Sequence, residues 1–468
     1  MPRDVVIAGG GFGGYYTAKK LEKLAPADVR ITLINDVNFL LYAPLLPGAA
    51  ASTLDPRHVV VPLREHLKRT ELRMGWVTDG EPERNALKVK MISGETIDYS
   101  YDQLIVAMGS VSRTFPIPGL VEHAIGFKTI AEATALRNRV VRHLELAEGI
   151  DDPEARKPWL SFVFVGGGYA GLEGVAFLAD FAADIIKRYP RCREVGTRWT
   201  LVDAAPRVMP EIQPQLADFT VRLLEGRGIG FRLSTQVKEV LDDRIVLSDG
   251  EVIPARTVCW TAGVKANPVA ERMGLPLEQG RIKCDQYMRV PGFENVWALG
   301  DIAAIPDPAR PGNPCPPTAQ HAIRQGKLLG GNVAAALGGR GEVKPFTFKT
   351  LGSFAELGRH QAVANLMGVR VRGFLAWAIC RFYHLAWMPG LDRKSRLIAD
   401  WSTEIIFPRD IAEMGQLGHP PRLDGPAPPP DDQPQPAALP DAPAEEKDSP
   451  AANQGTPPPA EDAQATRS

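Results

Sequence analysis

The stretch Val5-Val6-Ile7-Ala8-Gly9-Gly10-Gly11-Phe12-Gly13-Gly14 decides how this chain is read, because the chain contains it twice. The second copy is Phe162-Val163-Phe164-Val165-Gly166-Gly167-Gly168-Tyr169-Ala170-Gly171. Each copy is an apolar strand running into G-x-G-x-x-G and then a helical pattern. The first glycine permits a tight turn, the second lets backbone approach a pyrophosphate, and the third lets helix and strand pack closely. The diphosphate then rests at a helix N-terminus, where free N–H groups and the helix dipole favour negative charge. One copy alone is also compatible with a plain strand-to-helix turn. Two copies in the same context imply two dinucleotides brought face to face.

The residues after each copy continue the pattern. Beyond the first, Ala18, Leu21 and Leu24 keep helical spacing, and the strand Arg30-Ile31-Thr32-Leu33-Ile34 ends at Asn35-Asp36. That is about 20 residues past the motif, where a ribose-binding acid is expected. The position directly after the strand is Asn35 and the acid Asp36 comes one later, so either is a candidate. Beyond the second copy, Arg198-Trp199-Thr200-Leu201-Val202 ends at Asp203. An acid there favours the free 2′-hydroxyl of NAD, and the nearby Arg207 moderates that preference.

Three further strands end in glycine. They are Tyr101 to Met108 before Gly109, Thr257 to Ala262 before Gly263, and Val296-Trp297-Ala298-Leu299 before Gly300-Asp301. The last offers a carboxylate to a ribityl hydroxyl, or else a helix cap or turn residue. Two hairpins, Met91–Tyr99 and Val246–Ile253 with its Asp249-Gly250 turn, precede the first two of these strands. The chain thus reads as an approximate duplication. The expected fold is α/β: two nested Rossmann-like dinucleotide-binding domains plus C-terminal amphipathic helices. Residues 1–120 and 288–345 would form the first domain and 121–287 an inserted second one. Residues 346–415 would be a membrane-association region and 416–468 a disordered Pro-rich tail, since the tail's composition cannot bury enough apolar surface to order it.

The chain has 468 residues, enough for about three domains. Its 44% hydrophobic and 23% charged residues are ordinary for a globular protein. A net charge of −1 gives no field that points to nucleic acid. No apolar run is long enough to span a bilayer, and the first strand begins too early to leave room for a signal peptide. The five cysteines, Cys192, Cys259, Cys284, Cys315 and Cys380, form no C-x-x-C pair. A redox disulfide beside a flavin and a metal site are therefore not expected, and the thiols read as inert.

Three motifs carry a family resemblance: Asn38 to Pro47, Pro316-Pro317-Thr318-Ala319-Gln320-His321-Ala322-Ile323-Arg324-Gln325-Gly326, and Leu357 to Ala364 leading into Gly373-Phe374-Leu375-Ala376-Trp377. In this order, over residues of about 4 to 415, the chain resembles the type II NADH:quinone oxidoreductases, the single-subunit alternative NADH dehydrogenases of respiratory membranes. The resemblance implies FAD held by Gly9, Gly11, Phe12, Gly14, Asn35 or Asp36, Val77, Gly109, Asp301 and Ala319. It implies NADH held by Gly166, Gly168, Gly171, Asp203 and Gly263. Gln320 would lie beside flavin and quinone, and Glu173 would take the place of the family's active-site glutamate and assist proton delivery. Read without the family, Glu173 is a first-turn carboxylate favoured by the helix dipole and Gln320 a polar helix-start residue. His321 reads as a surface or core-edge histidine.

Residues 370–410 mix Phe374, Leu375, Trp377, Phe382, Trp387 and Ile405 with Arg370, Arg372, Arg381, Arg393, Lys394 and Arg396. Aromatic and basic residues so interleaved suit two amphipathic helices, broken at Pro389-Gly390, lying on a membrane interface. Packing on a dimer partner is the other use of such faces. The expectation is a peripheral enzyme on the cytoplasmic face of the cell membrane, passing electrons from NADH through FAD to menaquinone or ubiquinone without proton pumping, with a homodimer as a further partner. The rivals are an NAD(P)H-dependent ferredoxin- or rubredoxin-type reductase, which has no use for the basic–aromatic C-terminus, and a redox-sensing flavoprotein. Sulfide:quinone reductases need flavin-side cysteines, which this pattern does not supply.

Overall fold

The all-apolar runs around the two glycine motifs become central strands of two sheets, because strands covered on both faces need continuous rather than alternating hydrophobicity. The structure, a computed structural model, describes residues 3–350, 352–415 and 417. The first sheet has the spatial order Val296–Ala298, Gln103–Val106, Arg3–Ala8, Val29–Asn35, Thr70–Glu81, Ala86–Met91, Thr96–Ser100. Its first five strands run parallel, and the last two form the antiparallel hairpin. Val5, Ile7 and Leu33 at its centre are fully buried.

The second sheet lies between these pieces in the sequence and is parallel throughout: Ala124–Gly126, Thr257–Trp260, Ser161–Val165, Arg198–Val202, Ile229–Arg232. The return of Val296–Ala298 to the edge of the first sheet, beside Gln103–Val106, makes the arrangement nested. Two short strands, Ser110–Ser112 and Val264–Ala266, pair antiparallel just beyond the two closing strands. This ribbon joins the halves at the point where both sheets present their glycine loops.

Helix Phe12–Leu24 packs along helix Ala319–Ala336, and the contact is close because small residues meet backbone. A Cβ on Gly326 would meet the Gly13 carbonyl oxygen at 2.5 Å, and one on Gly330 the Thr17 carbonyl oxygen at 2.7 Å.

The C-terminal region departs from the expectation of helices alone. A three-stranded antiparallel sheet, Gly352–Glu356, Ala362–Leu366 and Val369–Gly373, precedes them. Arg370 and Arg372 therefore sit on a strand. The cause is the turn at Met367-Gly368, where both residues have positive φ (49° and 91°), a conformation that reverses the chain into a hairpin. Helices Phe374–Trp387 and Leu391–Ile406 follow, separated at Pro389-Gly390 as the sequence predicts. Residues up to Met414 form one compact unit. The expected Pro-rich tail lies outside the described residues, apart from Leu417.

Candidate active site

The two glycine loops are built alike down to single hydrogen bonds. Gly9 N–H donates to the Ile34 carbonyl and Gly166 N–H to the Val202 carbonyl, both at 2.8 Å. A Cβ on Gly14 would fall on the Gly9 carbonyl oxygen, and one on Gly171 on the Gly166 carbonyl oxygen, so neither position admits a side chain. Asn35 Oδ1 accepts the Gly10 N–H at 2.7 Å. Asp203 Oδ2 accepts the Gly167 N–H in the same way. Asn35 is therefore the counterpart of Asp203, and each side chain braces its loop from the neighbouring strand end. Asn35 Nδ2 is also used, donating to the Val37 carbonyl at 2.7 Å, whereas Asp36 is exposed.

Both loops end in helices whose N-terminal residues, Gly11 and Gly168, make no side-chain cap. The first N–H groups of each helix thus remain free for an anion. No Cβ neighbour lies within 4 Å of either glycine, so the space in front of each loop is open.

The first loop opens on a cleft of about 770 Å³, a size suited to a cofactor. Gly9, Gly11, Phe12, Asn35, Asp36, Val77, Gly109, Asp301 and Ala319 all line it. Gly14 does not; it lies behind the loop, where it lets helix and strand approach. Lys128, Thr129, Glu132 and Asn267 complete the wall. Sequence reasoning missed these. Lys128 Nζ donates to Ser110 Oγ at 2.9 Å, and Ser110 Oγ donates to Asp301 Oδ2 at 2.7 Å. Burial lowers the Lys128 pKa, opposed by the Asp301 carboxylate. No local pattern marks Lys128, because it reaches Asp301 only through the fold. Of the residues expected to hold NADH, Gly166, Gly168 and Gly171 belong to the second loop and its helix start, and Asp203 stands at the end of the neighbouring strand. Gly263, φ 91°, follows the closing strand, and its carbonyl accepts the Arg113 N–H at 3.1 Å.

Ala319 and Gln320 open a helix capped by Thr318, whose Oγ1 accepts the His321 N–H. Gln320 Nε2 donates to the Gly352 carbonyl at 3.0 Å, while its buried Oε1 has no partner and remains an open acceptor. His321 is buried rather than on the surface, with Nδ1 2.8 Å from Thr318 Oγ1. Glu173, in the second turn of helix Tyr169–Ile185, accepts the N–H of Glu356 at 2.9 Å. Burial raises the Glu173 carboxyl to about 8, partly offset by that hydrogen bond and reinforced by the charge of Glu356. His384 is buried beside Tyr42, Phe354 and Tyr383, and burial lowers its pKa to about 3, so it is neutral at pH 7. All five cysteines are buried and free.

Two glycine loops of this build, with residues from both halves of the chain on the wall of the cleft at the first, define a pyridine-nucleotide-dependent oxidoreductase. The pyridine nucleotide-disulphide oxidoreductase family matches residues 3–326. A type II NADH:quinone oxidoreductase of Mycobacterium tuberculosis is 33% identical over 432 residues, covering 88% of this chain and 89% of that protein. One from Staphylococcus aureus is 30% identical, covering 79% and 91%. A solved structure of NDH2 from Plasmodium falciparum with NADH shares the fold, with a TM-score of 0.81 at 19% identity over 88% of this chain and all of that one. The chain belongs to the type II NADH:quinone oxidoreductases.

Proposed function

We propose that this enzyme binds FAD in the cleft at the first loop, oxidises NADH held at the second, and reduces a membrane quinone arriving beside Gln320. The net reaction is NADH + H⁺ + quinone → NAD⁺ + quinol, without ion translocation. The observation that carries the reading is that both halves of the chain line one cleft: Gly11, Gly109 and Asp301 from the first, Lys128, Glu132 and Asn267 from the inserted stretch.

FAD would supply the two-electron chemistry; the chain positions, excludes water and handles protons. The Gly11 helix terminus would face the diphosphate, Asp301 the ribityl chain and the backbone at Val77 the adenine. Asn35 braces the loop, which leaves the exposed Asp36 for the ribose. At the second loop, Asp203 would accept from a 2′-hydroxyl. Glu173 would hold a proton for the quinone, and the unpartnered Gln320 Oε1 would orient it.

Access for a water-insoluble quinone points to the C-terminal helices. Phe374, Leu375, Phe382, Leu391, Ile405 and Ile406 are all more than 60% exposed. So many exposed large apolar side chains on two successive helices mark an interaction site, and with the exposed Arg370, Arg372 and Arg396 they fit the headgroup level of a cytoplasmic membrane face. Arg381 and Arg393 do not contribute, since both side chains are largely buried, Arg381 against Glu404. No helix among the described residues is long and apolar enough to cross a membrane. Anaerobic reduction of the purified flavoprotein by NADH, followed by reoxidation with a short-chain quinone, tests the reading. Flavin that NADH bleaches but no quinone reoxidises contradicts it.

A further inference from the structure

Two carboxylates share the narrow crevice at the end of strand Gly352–Glu356. Glu173 and Glu356 line it together with Phe177, Arg381 and Trp401. Glu356 is buried, and its Oε1 has no hydrogen-bond partner. The groups facing it come from three helices: Glu173, the Cys380 thiol and Arg381 guanidinium, and Glu404. Arg381 pairs with Glu404 at 3.1 Å, and Glu404 lies 3.9 Å from Arg409. Arg381 also lines a second, wider cleft of about 690 Å³ with Asp184, Glu404 and Arg409. One guanidinium thus stands between the crevice and that cleft.

Neighbouring buried carboxylates do not both ionise readily, and their protons belong to the pair. Here the two are unequal. Burial raises both carboxyls, and Glu404 raises Glu356 further; Arg381 and the Cys380 thiol pull Glu356 back toward charge, and the charge of Glu356 adds to the rise of Glu173. We propose that Glu356 is a positioning residue for the reaction: its carboxylate, favoured by the nearby Arg381 guanidinium, keeps one proton on Glu173, and the cleft beyond Arg381 returns that proton from water after each turnover. This rests on the proposed quinone reduction. Of the two protons a quinone takes with its two electrons, one leaves the Glu173 O–H for a quinone oxygen. The resulting carboxylate recovers a proton from solvent, and the second proton and both electrons come from the hydride that NADH gives up.

The test titrates the protonated-carboxyl band of Glu173 by infrared difference spectroscopy on the flavin-loaded full chain, with Glu173→Gln identifying the band. In the native enzyme the band disappears with a midpoint near pH 8. In Glu356→Gln the midpoint falls by about one pH unit, a roughly tenfold weaker hold on the proton. The alkaline limb of quinone reduction moves with it, and flavin reduction by NADH is unchanged. Glu356→Asp, which keeps the charge on a shorter arm, moves the midpoint part-way and stands in should Glu356→Gln lose its flavin. An unmoved midpoint, or a rate loss equal at every pH, overturns the proposal. Failure of the native enzyme to reduce any quinone counts against the quinone reaction alone, since the band still reports on the pair.

Discussion

Glu173 and Gln320 are fastened to opposite ends of one strand. Gln320 donates to the carbonyl of its first residue, Gly352, and Glu173 accepts the N–H of its last, Glu356. Five extended residues span about 13 Å between their end Cα atoms. The strand therefore fixes the separation between a group expected beside the quinone and a group able to hold its proton. One side chain comes from the first nucleotide domain and the other from the second. The edge between Phe354, the strand's central residue, and Tyr383 and His384 ties the same strand to helix Phe374–Trp387.

The glycine loops give a paired prediction. Gly14→Ala and Gly171→Ala each force a Cβ onto a carbonyl oxygen, an overpacking that costs about 1–3 kcal/mol where the loop yields. Gly14→Ala should release the flavin, read as lost visible absorbance. Gly171→Ala should keep it and slow bleaching by NADH at least tenfold. The same defect in both variants would show that the loops do not serve different nucleotides.

Asp203 should set the choice of nicotinamide. Asp203→Asn keeps an oxygen for the Gly167 N–H but removes the charge that disfavours a 2′-phosphate. The kcat/KM ratio of NADH to NADPH should fall by on the order of tenfold, about 1.4 kcal/mol. An unchanged ratio places the discrimination elsewhere.

Stability should report on Glu173 as well. Its folded pKa is raised from 4.5 to about 8, so the folded state binds its proton more tightly than the unfolded chain does. That contribution is complete below pH 4.5 and is lost as the pH rises through 8. Glu173→Gln, which does not titrate, should therefore gain in melting temperature over the native protein between pH 5 and pH 9, on the order of 5 °C. A difference that is flat with pH contradicts the raised pKa.

Membrane attachment should depend on the exposed apolar face. Phe382→Glu with Ile405→Glu removes two side chains that are 74% and 76% exposed. Co-sedimentation with anionic vesicles should drop several-fold while flavin content stays constant. Unchanged binding would remove these helices as the docking surface.

Much of the fold was legible in the sequence because its elements are local. Strand, glycine turn and helix lie within a dozen residues of each other, and the period of the apolar residues names each one. Asp301 and Asp203 were readable because a strand end fixes where the next residue goes. The roles of Lys128 and Glu356 were not, since each meets its partner across roughly 170–180 positions of chain. Neither was the strand position of Arg370 and Arg372: alternating basic and apolar residues suit a helix face and a strand equally well until the Met367-Gly368 turn is seen. Asn35 stands where the motif expects an acid. Its bond to Gly10 shows that the brace needs an oxygen and not a charge.

If two nucleotides and a quinone exchange electrons over one cleft, the flavin must cycle between them. Anaerobic stopped-flow on the purified flavoprotein follows that cycle: NADH first, then a short-chain quinone. FAD absorbance should bleach on NADH addition and return on quinone addition, with one quinol formed per NADH consumed. Bound FAD that NADH leaves oxidised, or that stays bleached with every quinone, would refute the shared cleft as the site of electron transfer.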